Sequence, residues 1–258
     1  MTDIFIASAV LAAALMVTLW LVSLPLKNAS IVDIAWGPGF AIIAWANYAI
    51  ASNPTTRAQV VCVLTTAWAA RLAFHIGKRN VGHGEDYRYR SMREKYGRNF
   101  PLVSLFIVFL LQAALMWTIS LPVQAVLAPA AVMPLGWIDA AGVALWAIGY
   151  VFEAIADAQL AAFKRDPANT GRVMDTGLWR YSRHPNYFGE FLLWWGFGVI
   201  ALATGAWWAL IGPATITFLL LKVSGVTLLE STITERRPGY REYIERTSAF
   251  LPWPPRAT

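Results

Sequence analysis

The chain has 258 residues, of which 57% are hydrophobic and 14% are charged, and its formal net charge is +6. A soluble domain usually carries about a quarter charged residues, so this composition excludes an ordinary soluble globular protein. The single cysteine, Cys62, excludes an internal disulfide and a multi-cysteine metal site.

Apolar stretches follow one another along the chain, each near the length of about 20 residues that a helix needs to cross the hydrocarbon core. The opening stretch lacks the basic segment of a cleaved signal peptide, so we expect it to remain as the first span. The sequence predicts an all-α membrane protein with seven transmembrane helices in one integral domain, residues 1–258. The predicted spans are 4–26, 31–51, 58–76, 102–121, 136–163, 188–203 and 206–229.

Basic residues alternate between the connections. Nearly all of them lie in residues 77–101, 164–187 and 230–258, whereas residues 122–135 contain none and residues 52–57 contain only Arg57. Because Lys and Arg collect in cytoplasmic loops, the pattern places the N-terminus outside and the C-terminus in the cytoplasm. We expect a multi-pass protein of a bacterial inner membrane.

The positive charge has two further implications for partners. It suits the topology itself and attraction to anionic lipid headgroups, so the expected partner is the bilayer. No nucleic-acid-binding fold or stacking platform accompanies the basic residues, and nucleic acid is therefore not expected. Nothing in the sequence indicates an obligate protein partner.

Ionisable residues also lie inside or at the ends of the predicted spans, where they are costly and usually mark a site or a paired contact. Most lie toward the predicted cytoplasmic side, which indicates a polar cavity open to the cytoplasm. A structural network of buried ion pairs is the alternative. Glu153 and Asp157 are four residues apart and can share one partner, such as Arg71 or a loop arginine. The residues are Asp33, Arg71, Glu153, Asp157, Glu190, Lys222 and Glu230.

The most specific segment runs from Asp175 to Glu190, directly before the sixth predicted span. Arg180 and Arg183 offer forked donors that suit phosphate, and the Asn186 amide can both donate and accept. Glu190 can accept from a ribose or an amide. The segment has the chemistry of a cofactor site.

A structural interpretation of the same segment stays open. Pro185 lacks an amide proton and fits the first turn of a helix. The arginines could lie at the headgroup level while His184 caps the helix.

Three stretches together resemble the bacterial branch of the steroid 5α-reductase-like membrane proteins, and the resemblance covers nearly the whole chain. They run from Ser30 to Gly37, from Gly171 to Glu190 and from Leu229 to Trp253. The core of the motif, Arg183 to Tyr187 followed by Gly189-Glu190, is shared with isoprenylcysteine carboxyl methyltransferases. The alternative function is therefore an S-adenosylmethionine-dependent membrane methyltransferase.

The resemblance implies a seven-helix fold that holds NADPH among the cytoplasmic loops 77–101 and 164–187 and the tail 230–258. It implies reduction of the carbon–carbon double bond of a Δ4-3-oxosteroid or similar lipid enone. The asparagine and glutamate that hold the cofactor in that family match Asn186 and Glu190. The expected cofactor-binding residues are Arg71, Asp157, Lys164, Arg165, Arg172, Arg180, Tyr181, Ser182, Arg183, His184, Asn186, Tyr187, Glu190, Glu230, Arg236, Arg237, Tyr240 and Tyr243.

Reduction of an enone also needs a hydrogen-bond donor at the carbonyl oxygen. The expected candidates are Asp33, if burial keeps it neutral, and the nearby tyrosines Tyr87 and Tyr89. The glutamine–glutamate pair of the animal enzymes has no match here. No metal is expected, because the three histidines are too scattered for a metal site.

Two rivals remain. A methyltransferase would use Glu190 and Glu230 on its cofactor, but the abundance of loop arginines favours the phosphates of NADPH. A small transporter or receptor would be expected to place charge at the midplane in broken or repeated helices, and neither is evident.

Overall fold

The computed structural model describes residues 2–51, 54–128, 134–223, 230 and 239–256, and across these residues the secondary structure is helical without a strand. Two compact units divide the chain. Unit 1 comprises Met1–Gly136 and Ala201–Ile211, and unit 2 comprises Trp137–Ile200 and Gly212–Thr258. The single integral domain stays a prediction.

Within the described ranges, four helical stretches are long and apolar enough to cross a membrane, as expected for a membrane protein. They are Thr2–Leu26, Thr56–Asn80, Tyr87–Ile119 and Trp137–Arg165. The other predicted spans also contain helices, at Ile31–Ile50, Pro185–Leu202 and Trp207–Val223. Residues 224–229 of the last predicted span lie outside the described residues. The number of crossings and the orientation stay predictions.

Unit 1 begins with three long helices, α1 (Thr2–Leu26), α2 (Ile31–Ile50) and α3 (Thr56–Asn80). The backbones of α2 and α3 approach closely at Gly37, where an added Cβ would lie 3.0 Å from the carbonyl oxygen of Ala69. A side chain would separate the two helices there, so the glycine permits their close packing.

A broken helical run follows, with α4 (Tyr87–Tyr96), α5 (Phe100–Ser104) and α6 (Leu111–Ile119). Residues Leu105–Leu110 form a π-helical turn between α5 and α6. Such turns insert one extra residue and rotate the side chains that follow. The predicted cytoplasmic loop 77–101 therefore contains a helix of its own, α4.

The connection 122–135, expected to be an external loop, begins with a buried helix, α7 (Leu121–Leu127). All seven of its residues are buried, and α7 packs against α2 and α3. Its apolar side chains explain this, because they gain more from burial than from exposure to water. Arg57, the basic residue of the preceding bare connection, is also buried and donates to the Pro134 carbonyl oxygen at 3.1 Å.

Unit 2 contains α8 (Trp137–Arg165), α9 (Pro185–Leu202), most of α10 (Ile211–Phe218) and α11 (Tyr240–Arg246). The first residue of α10, Ile211, belongs to unit 1. Short 3-10 turns at Pro167–Asn169 and Gly177–Arg180 lie between α8 and α9. A π-helical turn, Leu219–Val223, extends α10.

Glycines bring α8 and α9 into backbone contact. A Cβ added at Gly149 would lie 2.5 Å from the Leu193 nitrogen, and one added at Gly189 would lie 2.5 Å from the Glu153 nitrogen. Larger side chains at these positions would force the helices apart. The glycines therefore permit the close backbone contact that small residues allow between membrane helices. This packing brings the first turn of α9 beside the C-terminal half of α8, the end that is predicted to face the cytoplasm.

Candidate functional site

The first turn of α9 holds the predicted cofactor residue Asn186. As expected, the helix begins at Pro185. The Asn186 Nδ2 group donates to Asp157 Oδ1 at 3.1 Å, and Asp157 is buried on α8. Two of the predicted cofactor residues are therefore in contact, and the carboxylate orients the amide. Glu190 lies one turn further along α9 and is half-buried.

Arg183 is engaged inside the protein. It is only 8% exposed, and its Nε and Nη2 groups donate to the two carboxylate oxygens of Glu230 at 2.7 and 3.0 Å. Its Nη1 group donates to the main-chain oxygens of Ile244 and Thr247. Such a bidentate ion pair is strong and fixes the relative orientation of the guanidinium and the carboxylate. In this arrangement Arg183 holds the tail.

Glu230 also accepts a hydrogen bond from His184 Nε2, with the two atoms 3.1 Å apart. Burial raises the pKa of Glu230, but the hydrogen bonds from His184 and Arg183 outweigh it and lower that pKa to about 2. Glu230 is therefore a carboxylate at neutral pH. We name the set Arg183, His184 and Glu230, with Ser182 and Tyr243, the tail clasp.

The remaining members of the tail clasp bond to main chain. Ser182 Oγ donates to the Phe250 carbonyl oxygen at 2.8 Å, and the Tyr243 hydroxyl donates to the carbonyl oxygen of Trp179. Burial raises the pKa of Tyr243 and raises that of Tyr240 to about 12. Both phenols are therefore neutral, and Tyr243 acts as a buried structural donor.

The predicted cofactor residues at the end of α8 and in the connection to α9 have a different environment. Lys164, Arg165, Arg172 and Arg180 are exposed, as is Tyr181. Lys164 and Arg165 end α8, and Arg172 and Arg180 lie in the connection that leads to Asn186. The Tyr187 ring is half-buried and stacks on His184, with centroids 5.5 Å apart.

In unit 1, Asp33 lies in the first turn of α2 and accepts two hydrogen bonds. Tyr89 donates its hydroxyl to Asp33 Oδ1 at 2.7 Å, and Arg88 Nη2 donates to Oδ2 at 2.7 Å. Tyr89 is buried, whereas Tyr87 is 47% exposed. Two of the three predicted acid candidates, Asp33 and Tyr89, are therefore in direct contact, and Tyr87 is apart from them on the surface of α4.

Gln112, which was not among the predicted site residues, also interacts with the Tyr89 side chain. It follows the π-helical turn Leu105–Leu110 by two residues. The sequence carried one indication of this role, because Gln112 is a polar residue inside a nearly apolar run, and polar groups in such runs usually have a partner inside the protein. Gln112, Tyr89, Asp33 and Arg88 form a continuous chain, which we name the α2–α4 cluster.

The loop before α4 supports this cluster. Asp86 caps α4 by accepting from the Arg88 amide and also accepts from Arg88 Nε, both at 3.0 Å. Glu85 accepts from Arg93 and from the Ala29 amide. Burial raises the pKa of Glu85, but these hydrogen bonds outweigh it, so the pKa is lowered. The Glu85 carboxylate and the Asp86 amide, which donates to Ser30 Oγ at 2.7 Å, fix the loop to the start of α2.

The other predicted site residues are placed as follows. Arg71 is half-buried on α3, and Arg236 and Arg237 lie outside the described residues. Among the residues that the structure describes, no three His, Cys, Asp or Glu side chains form a group that could hold a metal ion.

Comparison with known proteins places this chain in a family. It is 28% identical to the uncharacterized protein C594.04c of Schizosaccharomyces pombe, over 97% of this chain and 80% of the relative. No solved structure matches it. Residues 19–247 match the family described as "Protein of unknown function (DUF1295)", which is steroid 5α-reductase-like in general terms. The chain therefore belongs to the DUF1295 family.

Proposed function

We propose that this protein is an NADPH-dependent reductase of the carbon–carbon double bond of a lipid-like enone, such as a Δ4-3-oxosteroid. The observation that carries the proposal is the start of α9. There Asn186 is held by Asp157 at 3.1 Å, at the end of a connection that exposes several cationic side chains. Membership of a steroid 5α-reductase-like family supports it.

The residues present fit a dinucleotide. Lys164, Arg165 and Arg172 offer the cations that bind phosphates, and Asn186 offers an oriented amide for a carboxamide or a base. No glycine-rich turn after a strand is needed, because side chains supply these contacts. The tail clasp fixes the motif beside them, so that Asn186 is positioned before a cofactor binds.

NADPH, when bound, supplies the hydride that adds to the β-carbon of the enone. The α-carbon then takes a proton from water or an acid, so that a saturated ketone and NADP⁺ result. Negative charge grows on the carbonyl oxygen meanwhile, and a positioned donor lowers the barrier. The proposed donor is Tyr89, whose hydroxyl is oriented by Asp33; Asp33 itself accepts from Tyr89 and Arg88 and could donate only as the neutral acid. Tyr87 is less favoured because it is exposed.

We further propose the membrane arrangement indicated by the loops. The chain would cross a bacterial inner membrane seven times, with the N-terminus outside and the C-terminus in the cytoplasm. Reporter fusions at residues 85 and 128 should then lie on opposite sides. Both reporters on one side would contradict this topology.

Ligand-induced stabilisation in detergent tests the cofactor. NADPH should raise the melting temperature in a concentration-dependent way, since a ligand stabilises the folded state by RT ln(1 + [L]/Kd). Arg165→Gln with Arg172→Gln should reduce this effect, whereas the melting temperature without ligand should stay nearly unchanged, because both side chains are exposed. Stabilisation by S-adenosylmethionine alone would favour a methyltransferase.

Turnover of a Δ4-3-oxosteroid tests the acid. Tyr89→Phe and Asp33→Asn should slow reduction while NADPH binding is retained, because they act on charge that develops only in the transition state. Tyr87→Phe is the matched control and should reduce at the normal rate. Normal turnover by both Tyr89→Phe and Asp33→Asn would place the acid elsewhere.

A further inference from the structure

The segment 250–256 beyond α11 is held rigidly by hydrogen bonds. Three proline residues within it further restrict the backbone, since each fixes its own φ. A segment that is already ordered loses little conformational entropy when it binds a partner. The bonds join Phe250 O to Ser182 Oγ, Trp253 N to Tyr181 O, and Arg256 N to Arg246 O, at 2.8, 2.9 and 2.9 Å.

This rigid segment presents apolar side chains outward. Leu251 is 61% exposed and Trp253 is 70% exposed, and the neighbouring Tyr181 is also exposed. We name these three residues the tail patch. They lie outside the predicted spans, so contact with the hydrocarbon core does not account for their exposure. Exposed apolar side chains on a fixed backbone indicate a surface that binds something.

The charges beside the tail patch indicate its partner. Arg180 precedes Tyr181 and is exposed, and Arg256 is exposed three residues after Trp253. Arg246 forms an ion pair with Asp175. The described residues around the tail patch carry a net positive charge, because four arginines face three carboxylates there: Arg180, Arg241, Arg246 and Arg256 against Asp175, Glu242 and Glu245.

This combination suits the surface of a bilayer. Trp and Tyr prefer the headgroup region, where an apolar ring and a polar group are both satisfied. Basic side chains beside them are attracted to anionic lipids by about 1 kcal/mol each, which corresponds to about fivefold per residue.

We propose that the tail patch docks onto the membrane surface, with Leu251 and Trp253 in the interface and with Arg180 and Arg256 on the phosphates of anionic lipids. This assigns Arg180 to lipid and leaves Lys164, Arg165 and Arg172 for the cofactor. Docking would hold the tail clasp against the bilayer, because the same segment bonds to Ser182. The inference does not depend on the reductase activity.

Because the chain has a single cysteine, one substitution is enough to remove it, and a fluorophore can then be attached at a chosen new cysteine. Cys62→Ala removes the native thiol, and Leu251→Cys then carries an environment-sensitive fluorophore on the full-length protein. The protein is placed, one copy per disc, in lipid nanodiscs of phosphatidylcholine with or without phosphatidylglycerol. Access of aqueous iodide to the fluorophore and quenching by spin-labelled lipid are measured. Glu245→Cys on the exposed face of α11 is the matched control position.

At position 251 we expect less quenching by iodide and more by spin-labelled lipid than at position 245, with the difference larger in phosphatidylglycerol. Arg180→Gln and Arg256→Gln should each reduce the ratio of docked to undocked tail about fivefold in that lipid. Trp253→Ala should lower docking in both lipids. Equal iodide access at positions 251 and 245 in both lipids would overturn the proposal. Shielding that is seen only in native membranes, and never in purified discs, would replace lipid with a protein partner.

Discussion

The α2–α4 cluster and the tail clasp are built alike but differ in how far they are closed. In each, an arginine joins a carboxylate that is distant in sequence. The Arg88 side chain is 37% exposed and bonds to the carboxylates of Asp33 and Asp86, whereas Arg183 is 8% exposed and bonds to main-chain oxygens as well as to a carboxylate. The same kind of ion pair is therefore closed to solvent at its arginine in the tail clasp and partly open to solvent in the α2–α4 cluster.

Arg183→Ala should give the largest loss of stability. The change leaves the half-buried carboxylate of Glu230 without its main partner, and breaking a buried ion pair from one side costs about 3–5 kcal/mol. The melting temperature in detergent and the yield of folded protein measure this. Arg180→Ala, an exposed arginine in the same motif, is the control and should change stability by less than about 0.5 kcal/mol. Similar effects of both changes would mean that the tail clasp carries no special stability.

Asn186→Ala should weaken NADPH binding by about 1–3 kcal/mol, or roughly five- to a hundredfold, because it removes an oriented amide. Glu190→Ala should act in the same direction. Titration of NADPH against the melting temperature measures the affinity. Thr176→Ala, exposed in the same segment and not among the expected cofactor residues, should bind normally. An affinity that stays normal in Asn186→Ala would remove α9 from the cofactor site.

Arg88→Ala should cost less than Arg183→Ala, about 0–1 kcal/mol, because a partly exposed pair gains little over its hydrated groups. The effect should also shrink in high salt, which screens exposed charges. Melting temperatures of the two variants at low and high salt measure the difference. A loss equal to that of Arg183→Ala would mean that the α2–α4 cluster is as closed as the tail clasp.

Acid should weaken the tail clasp only below pH 4.5, which is the smallest effect near neutrality. The folded pKa of Glu230 is lowered from 4.5 to about 2, so its stabilisation is present above pH 4.5 and is lost as the pH falls toward 2. Melting temperature against pH measures it. Glu230→Gln should flatten this part of the profile, while Glu242→Gln, an exposed position on α11, should leave it in place. An unchanged profile in Glu230→Gln would assign the acid sensitivity to another group.

Two glycines and one glutamine show which contacts the sequence could not predict. The apolar runs predicted helices in the right places, and Pro185 predicted the start of α9. The glycines at positions 149 and 189 gave no signal, because each is ordinary in its own helix and matters only through the backbone opposite. Gln112 was missed for the same reason, since its partner Tyr89 lies on another helix.

The sequence by itself determined the helices and the membrane character, because both follow from the lengths of apolar runs, which are local properties. It also located the polar segment before α9. Only the tertiary structure decided that Arg183 pairs with Glu230, 47 residues away, and that Asp33 accepts a hydrogen bond from Tyr89, 56 residues away. Many loop arginines could have satisfied either carboxylate, and a residue type carries no record of which distant segment folds against it. The partners are chosen by helix packing, which fixes the few donors that come within hydrogen-bond distance.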